Sequence, residues 1–121
     1  MPSRETVEAF VATVEAGQFV EAMERFYDEA ASAQENCAPP RVGRPALIEN
    51  ERKVLATFTD IKGRSGGPVF IEGDHVVINW QFEMRHPSGA VLHLDELVQQ
   101  TWRGEKLVRE RFFYDPEQLR V

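Results

Sequence analysis

The run GDHVVINWQFEMRHPSGAVLHLDELVQQTWRGEKLVRERFFYD, Gly73–Asp115, decides the fold. Apolar and polar residues alternate through it with the period of two expected of half-buried strands. Turn residues break it at Pro87-Ser88 and at Gly104-Glu105. From His75 to Arg85 the set Val76, Ile78, Trp80, Phe82 and Met84 is wholly apolar and the intervening set largely polar, so the first set should face the core.

Turn length then predicts register. A two-residue turn at Gly104-Glu105 pairs Trp102 with Leu107, Gln99 with Glu110 and Leu97 with Phe112, and sets Asp95 opposite Tyr114. A hairpin tip at Pro87-Ser88 pairs Phe82 with His93 and Trp80 with Asp95. Joined, these ladders turn His93, Asp95, Gln99, Glu110, Phe112 and Tyr114 inward, onto a wall containing Trp80 and Phe82. An apolar concavity with a few convergent polar groups is the usual composition of a small-molecule pocket. The opposite face would hold Leu92, Leu94, Val98, Trp102, Leu107 and Phe113 among its charges. Such a patch calls for cover, and a second copy packed as a symmetric homodimer through the outer sheet face would supply it.

Upstream of the strands the period changes. Val7, Phe10, Val11 and Val14 follow i, i+3, i+4, i+7 spacing, a helix that Ser3 can cap and Gly17 can end. Phe19, Ala22, Met23 and Phe26 mark a shorter second helix, and Tyr27 to about Asn36 reads as a first strand. After Pro39-Pro40 a third helix opens with Pro45 in its first turn, where a missing N–H costs nothing. Leu47, Ile48, Val54, Leu55 and Phe58 form its stripe. Lys62–Gly67 reads as a loop and Pro68–Glu72 as a short strand. Three N-terminal helices followed by a curved, mainly antiparallel sheet make an α+β, cone-shaped architecture, a single domain over residues 1–121.

Composition narrows the function. With 121 residues and 42% hydrophobic content, the chain fills one core without disulfide or metal support. Fourteen basic against twenty acidic residues give a net charge of -6, which opposes attraction to nucleic acid or to an anionic membrane. The single cysteine, Cys37, and the absence of CxxC or paired His/Cys spacing argue against a disulfide or zinc framework. No window approaches the ~18 apolar residues of a membrane span. The N-terminal acids do not resemble a signal peptide, so a reducing cytoplasm is expected.

Individual residues carry two readings each. His93 and Asp95, two apart on one strand, form either an acid–base pair or a hydrogen-bonded pair at the sheet end; two such groups are too few for a metal. Glu51 falls where the third helix expects an apolar residue. It either snorkels to water or turns inward, where desolvation raises its pKa. Glu110 and Gln99 could satisfy each other across strands. Tyr27 and Tyr114 each bring an apolar body with a polar tip, suited to core or pocket.

Three segments carry a resemblance: RFYDEAASAQEN (25–36), PPRVGRPALIENE (39–51) and the strand run quoted above. The hairpin Trp102–Asp115 fits W-x-G-x-x-I/L-V-x-E-x-F/Y-x-Y-D. Together they resemble the SnoaL-like branch of the nuclear transport factor two-like superfamily, which includes ketosteroid isomerase, polyketide cyclases, limonene epoxide hydrolase, scytalone dehydratase and noncatalytic domains. The resemblance implies a pocket between sheet and helices and frequent dimers. It also implies an acidic general base at the end of the first long strand, which Glu35 matches. Asn36 follows where the isomerases have proline, and their oxyanion acid falls nearer Val98, so the resemblance does not extend to steroid isomerisation.

Two functions follow. The first is acid–base chemistry on a small, largely apolar molecule, of the isomerase, cyclase, dehydratase or epoxide-hydrolase kind. It would need no cofactor, with Glu35 or Asp95 as base and His93 or Tyr114 as acid or oxyanion partner. Tyr27, Asn36, Glu51, Trp80, Phe82, Gln99, Glu110 and Phe112 would contact the ligand. The alternative is a noncatalytic ligand-binding or dimerisation domain.

Overall fold

The 3.6-residue spacing of Val7, Phe10, Val11 and Val14 becomes α1, Arg4–Glu15, in a computed structural model that describes all residues 1–121, and these four are its buried residues. Ser3 caps it by accepting from the Thr6 N–H at 3.1 Å, and Gly17 leaves it with φ +79°. α2, Phe19–Phe26, buries Ala22 and Phe26. α3, Arg44–Thr57, carries Pro45 in its first turn and buries Leu47.

Seven strands form one curved sheet. β1 is Tyr27–Glu35, β2 Arg41–Val42, β3 Asp60–Ser65, β4 Phe70–Glu72, β5 His75–Arg85, β6 Val91–Arg103 and β7 Lys106–Phe113. The order is β2-β1-β7-β6-β5-β3, with β4 also pairing to β5. All contacts are antiparallel except β1 with β7. A 3-10 turn, Pro116–Leu119, follows. The segment read as a loop from Lys62 instead supplies the second half of β3. Its backbone pairs with Trp80–Glu83, and the glycine at 63 leaves room for the Phe82 ring.

The helices and the inner sheet face close over Val7, Phe10, Phe26, Ile78, Val98 and Trp102, all almost fully buried. β5 presents Val76, Ile78, Trp80, Phe82 and Met84 inward, as its alternation requires. β6 does not follow the expected register. His86 N–H donates to the Ala90 carbonyl, which leaves a three-residue tip, Pro87-Ser88-Gly89, with Gly89 at φ +94°. The extra residue moves every pair along β5 and β6 by one: Trp80 faces Glu96 and Phe82 faces Leu94.

At the next hairpin Trp102 does pair with Leu107, but an irregularity follows. Thr101 pairs with Arg109, so Val108 is the additional residue and Glu110 faces Gln100. The tip at Pro87–Gly89 thus reverses β6, and the bulge keeps β7 from being reversed with it. Leu92, Leu94, Glu96, Val98, Gln100 and Trp102 are buried, while His93, Asp95, Leu97 and Gln99 are exposed. Most of the apolar patch expected on the outer face is thus core. Of that patch Phe113 alone stays exposed, and Leu97, expected inside, joins it on the outer face together with Val91.

Candidate functional site

β1 delivers Glu35 to the open end of the cone. Its Oε1 accepts from Tyr114 Oη at 3.1 Å, and its Oε2 accepts from Arg41 Nη1 at 3.0 Å. The Pro39-Pro40 turn makes this possible, because it folds the chain back so that β2 pairs with β1 beside the carboxylate. Asn36 points elsewhere. At φ +52° it leaves the strand through the left-handed region, which Asn tolerates better than most residues. Its Oδ1 accepts from the Tyr114 N–H at 2.9 Å and its carbonyl accepts from Arg111 Nε at 3.0 Å. It fastens the loop and does not line the cavity.

Inside the cone lies a cavity of about 270 Å³. Its wall is mostly hydrophobic and includes Phe10, Phe19, Val54, Trp80, Phe82 and Phe112. Five charged or titratable side chains break that wall besides Tyr27: Glu35, Arg41, Glu51, Glu96 and Glu110.

The floor is a hydrogen-bonded chain. Trp102 Nε1 donates to Gln100 Oε1 at 3.0 Å, Gln100 Nε2 donates to Glu110 Oε1 at 3.2 Å, and Tyr27 Oη donates to Glu110 Oε2. Burial drives the Glu110 carboxyl up to about 7 in spite of the two donors, which favour its charged form. Burial and the neighbouring Glu110 push the Tyr27 hydroxyl well above its ordinary range, so it stays a donor.

Glu96 is different. It projects inward from β6 opposite Trp80 and is 7% exposed; the bond it accepts from Asn79 Nδ2 is to its backbone carbonyl, and its carboxyl has no protein partner. Burial, followed by the Glu110, Glu35 and Glu51 carboxyls, raises it to about 8. Near pH 7 it is mostly a neutral acid with one O–H to donate. Glu51 comes down from α3, and burial and then Glu35 raise it also. Tyr114 is raised to about 12, by burial first and then by Glu35, and keeps its proton for the bond to that carboxylate.

The residues expected at the site therefore divide. Glu35, Glu51, Glu110, Tyr27, Trp80, Phe82 and Phe112 share the cavity, and Tyr114 touches it through Glu35. His93, Asp95 and Gln99 are corrected to the outer face by the three-residue hairpin tip. Asp95 there accepts from Asn79 Nδ2 at 2.6 Å, and its N–H donates to Gln118 Oε1 at 2.7 Å. His93 pairs across strands with Glu83 and Gln99 with Arg111.

An open depression of about 460 Å³ on that face holds Lys62, Arg64, Glu83, His93 and Asp95, whose charges of both signs offset one another. Glu96 and Gln100 were missed. The signal was present, because Leu92, Leu94, Val98 and Trp102 are the more apolar phase of β6 and those two residues share it. No group of three His, Cys, Asp or Glu side chains is arranged to hold a metal ion.

Residues 7–110 match the family model of the SnoaL-like domain. No curated protein matches the sequence. Among solved structures, a provisionally named SnoaL-like polyketide cyclase from Mesorhizobium loti superposes with a TM-score of 0.80 at 21% identity, covering 91% of this chain and 97% of its own. TerC, co-crystallised with polyporic acid, gives 0.80 at 16% identity over 95% and 92%. A protein with a ketosteroid isomerase-like fold from Catenulispora acidiphila, in complex with trimethylamine, gives 0.78 at 16% identity over 93% and 87%. At these identities the likeness is one of fold.

Proposed function

Because the chain belongs to the SnoaL-like domain family, we propose that the cavity inside its cone takes a small, largely apolar molecule and that the protein moves protons on it, with Glu35 as the accepting base. The observation that carries this reading is the placement of Glu35, a carboxylate held by Tyr114 and Arg41 at the edge of an apolar cavity. A base positioned by two donors and facing an apolar wall meets the geometric demand of proton abstraction. Glu96, a carboxyl that holds its proton near neutral pH in the protein alone, faces the same space. The small organic molecules bound by TerC and by the Catenulispora protein support the use of this fold for ligands of that size.

Deuterium exchange tests the reading. Incubated with 2-tetralone in heavy water, the protein is expected to accelerate exchange next to the carbonyl. Glu35→Gln should lower that acceleration by about 10²–10⁴-fold. Exchange by Glu35→Gln as fast as by the unaltered protein would remove Glu35 from the role of base.

The same reading includes a homodimer through the outer sheet face. Leu97 and Phe113 pair across β6 and β7 and are 49% and 42% exposed, so a second copy packed there would cover them.

A further inference from the structure

Charge inside the cavity is unbalanced. Arg41 is the one basic side chain on its wall, and Glu35 already holds it. Glu110 is engaged by Tyr27 and Gln100. The carboxyl groups of Glu51, half-buried, and Glu96, 7% exposed, both line the cavity and neither is held by a protein donor or a counter-ion. A buried carboxyl, Glu96, and a half-buried one, Glu51, aimed into one apolar space with no free base on its wall, reject an anion and favour a cation. Trp80, Phe82 and Phe112 add aromatic surface, which attracts a positive charge to its faces.

We infer that the molecule this cavity takes is a small organic cation, an ammonium group on an apolar body, held by the carboxyl groups of Glu96 and Glu51 against the aromatic wall. The inference deepens the ligand-cavity reading above and rests on it.

Proton release accompanies binding. The groups that face Glu96 are Tyr27 and Glu35 from β1, Glu51 from α3, Glu110 from β7 and Tyr114 beyond it, with Arg41 of β2 on the same cavity wall. All but Arg41 are acids, so none of them compensates a charge on Glu96, and in the protein alone it keeps its proton up to about pH 8. A cation removes the reason for that proton. The carboxyl ionises, its proton passes to solvent, and the ammonium takes its place as the local positive charge. Below about pH 8 each cation bound therefore releases up to one proton.

Titration calorimetry with three probes of similar skeleton tests this: benzyltrimethylammonium, whose charge no pH removes, 2-phenylethanol and phenylacetate. The cation should bind most tightly, and its affinity should rise by up to about tenfold per pH unit between pH ~6 and ~8 and then level off. Glu96→Gln should weaken the cation by about tenfold or more at pH ~8.5 and flatten that rise, with 2-phenylethanol affected far less. Glu51→Gln should weaken the cation in the same direction. If 2-phenylethanol binds and the cation does not, or if phenylacetate binds more tightly than either, the charge inference is overturned and the ligand cavity stands. If none of the three binds, both fall.

Discussion

Tyr27 Oη donates a hydrogen bond to Glu110 Oε2 where β1 and β7 run parallel, and both side chains are almost fully buried. The bond joins the start of the first strand to the middle of the last, and it supplies one of only two donors to a carboxyl raised to about 7. Tyr27→Phe keeps the ring and deletes the donor. It should cost about 1–3 kcal/mol. The loss should be larger above pH 7 than at pH 5, because an ionised Glu110 needs the donor more than a neutral one does. Urea unfolding at the two pH values measures it, and an equal loss at both would mean that Glu110 does not titrate in this range.

Glu96 and Glu110 together make stability depend on pH in an unusual direction. Their folded values, about 8 and about 7, lie above the ordinary 4.5. Between those limits the folded protein binds more protons than the unfolded chain, so stability falls as pH rises. The decline begins near pH 4.5 and is complete once the pH passes about 8. Each pH unit in that window costs about 1.4 kcal/mol for a fully coupled group, so the combined effect is several kcal/mol at most. Glu96→Gln should raise the midpoint of thermal unfolding at pH 8.5 and leave it nearly unchanged at pH 5. A variant no more stable than the parent at pH 8.5 would contradict burial of an ionisable Glu96.

The two halves of the chain were unequally legible. α1 was readable because Val7, Phe10, Val11 and Val14 repeat with one period and Ser3 and Gly17 mark its ends. β5 was readable because one of its phases is wholly apolar. β6 was not, because both of its phases carry apolar residues, and the choice passed to turn length. Gly89, in the left-handed region, makes a three-residue tip, and one residue reverses a strand's faces. That single parity put Asp95 in place of Glu96. On β7 the expected inward set Glu110, Phe112 and Tyr114 does face in, because the bulge at Val108 offsets the shift inherited from β6. Glu35 depends on neither turn: the prolines after it mark the end of the strand, and the resemblance to the SnoaL-like branch, not the residues themselves, chose it over Asn36.

Asn36 should be sensitive to shape as well as to hydrogen bonding. Its φ of +52° suits glycine, and its side chain accepts from the Tyr114 N–H. Asn36→Gly loses the bond and relieves the backbone, whereas Asn36→Ala loses the bond and retains the strain of about 1–2 kcal/mol. Alanine should therefore be the less stable by that margin in chemical denaturation. Equal stability of the two variants would show that the turn relaxes out of the left-handed region at no cost.

Leu97 tests the outer face. If two copies meet there, Leu97→Glu sets a charge against the same patch of the partner and should convert a dimer to a monomer in sedimentation velocity. The change should leave the fold intact, because the side chain is 49% exposed. A dimer that persists in Leu97→Glu, or a parent protein that sediments as a monomer, would rule out this interface.

Gly63 and Phe82 are coupled across β3 and β5. The two residues pair directly, and a Cβ at Gly63 would overlap the Phe82 ring. That ring packs against Trp80 and Phe19 at centroid distances of 5.8 and 6.2 Å and forms part of the cavity wall. Gly63→Ala must then displace either the strand or the ring, at a cost of about 1–3 kcal/mol. Phe82→Leu alone loses aromatic packing, but in the double variant the smaller side chain makes room for the new methyl group. The two changes together should cost less than their sum by about 0.5–3 kcal/mol. A double-mutant cycle by urea unfolding measures the coupling, and strict additivity would mean that β3 moves away as a unit and the Phe82 ring keeps its place in the cavity wall.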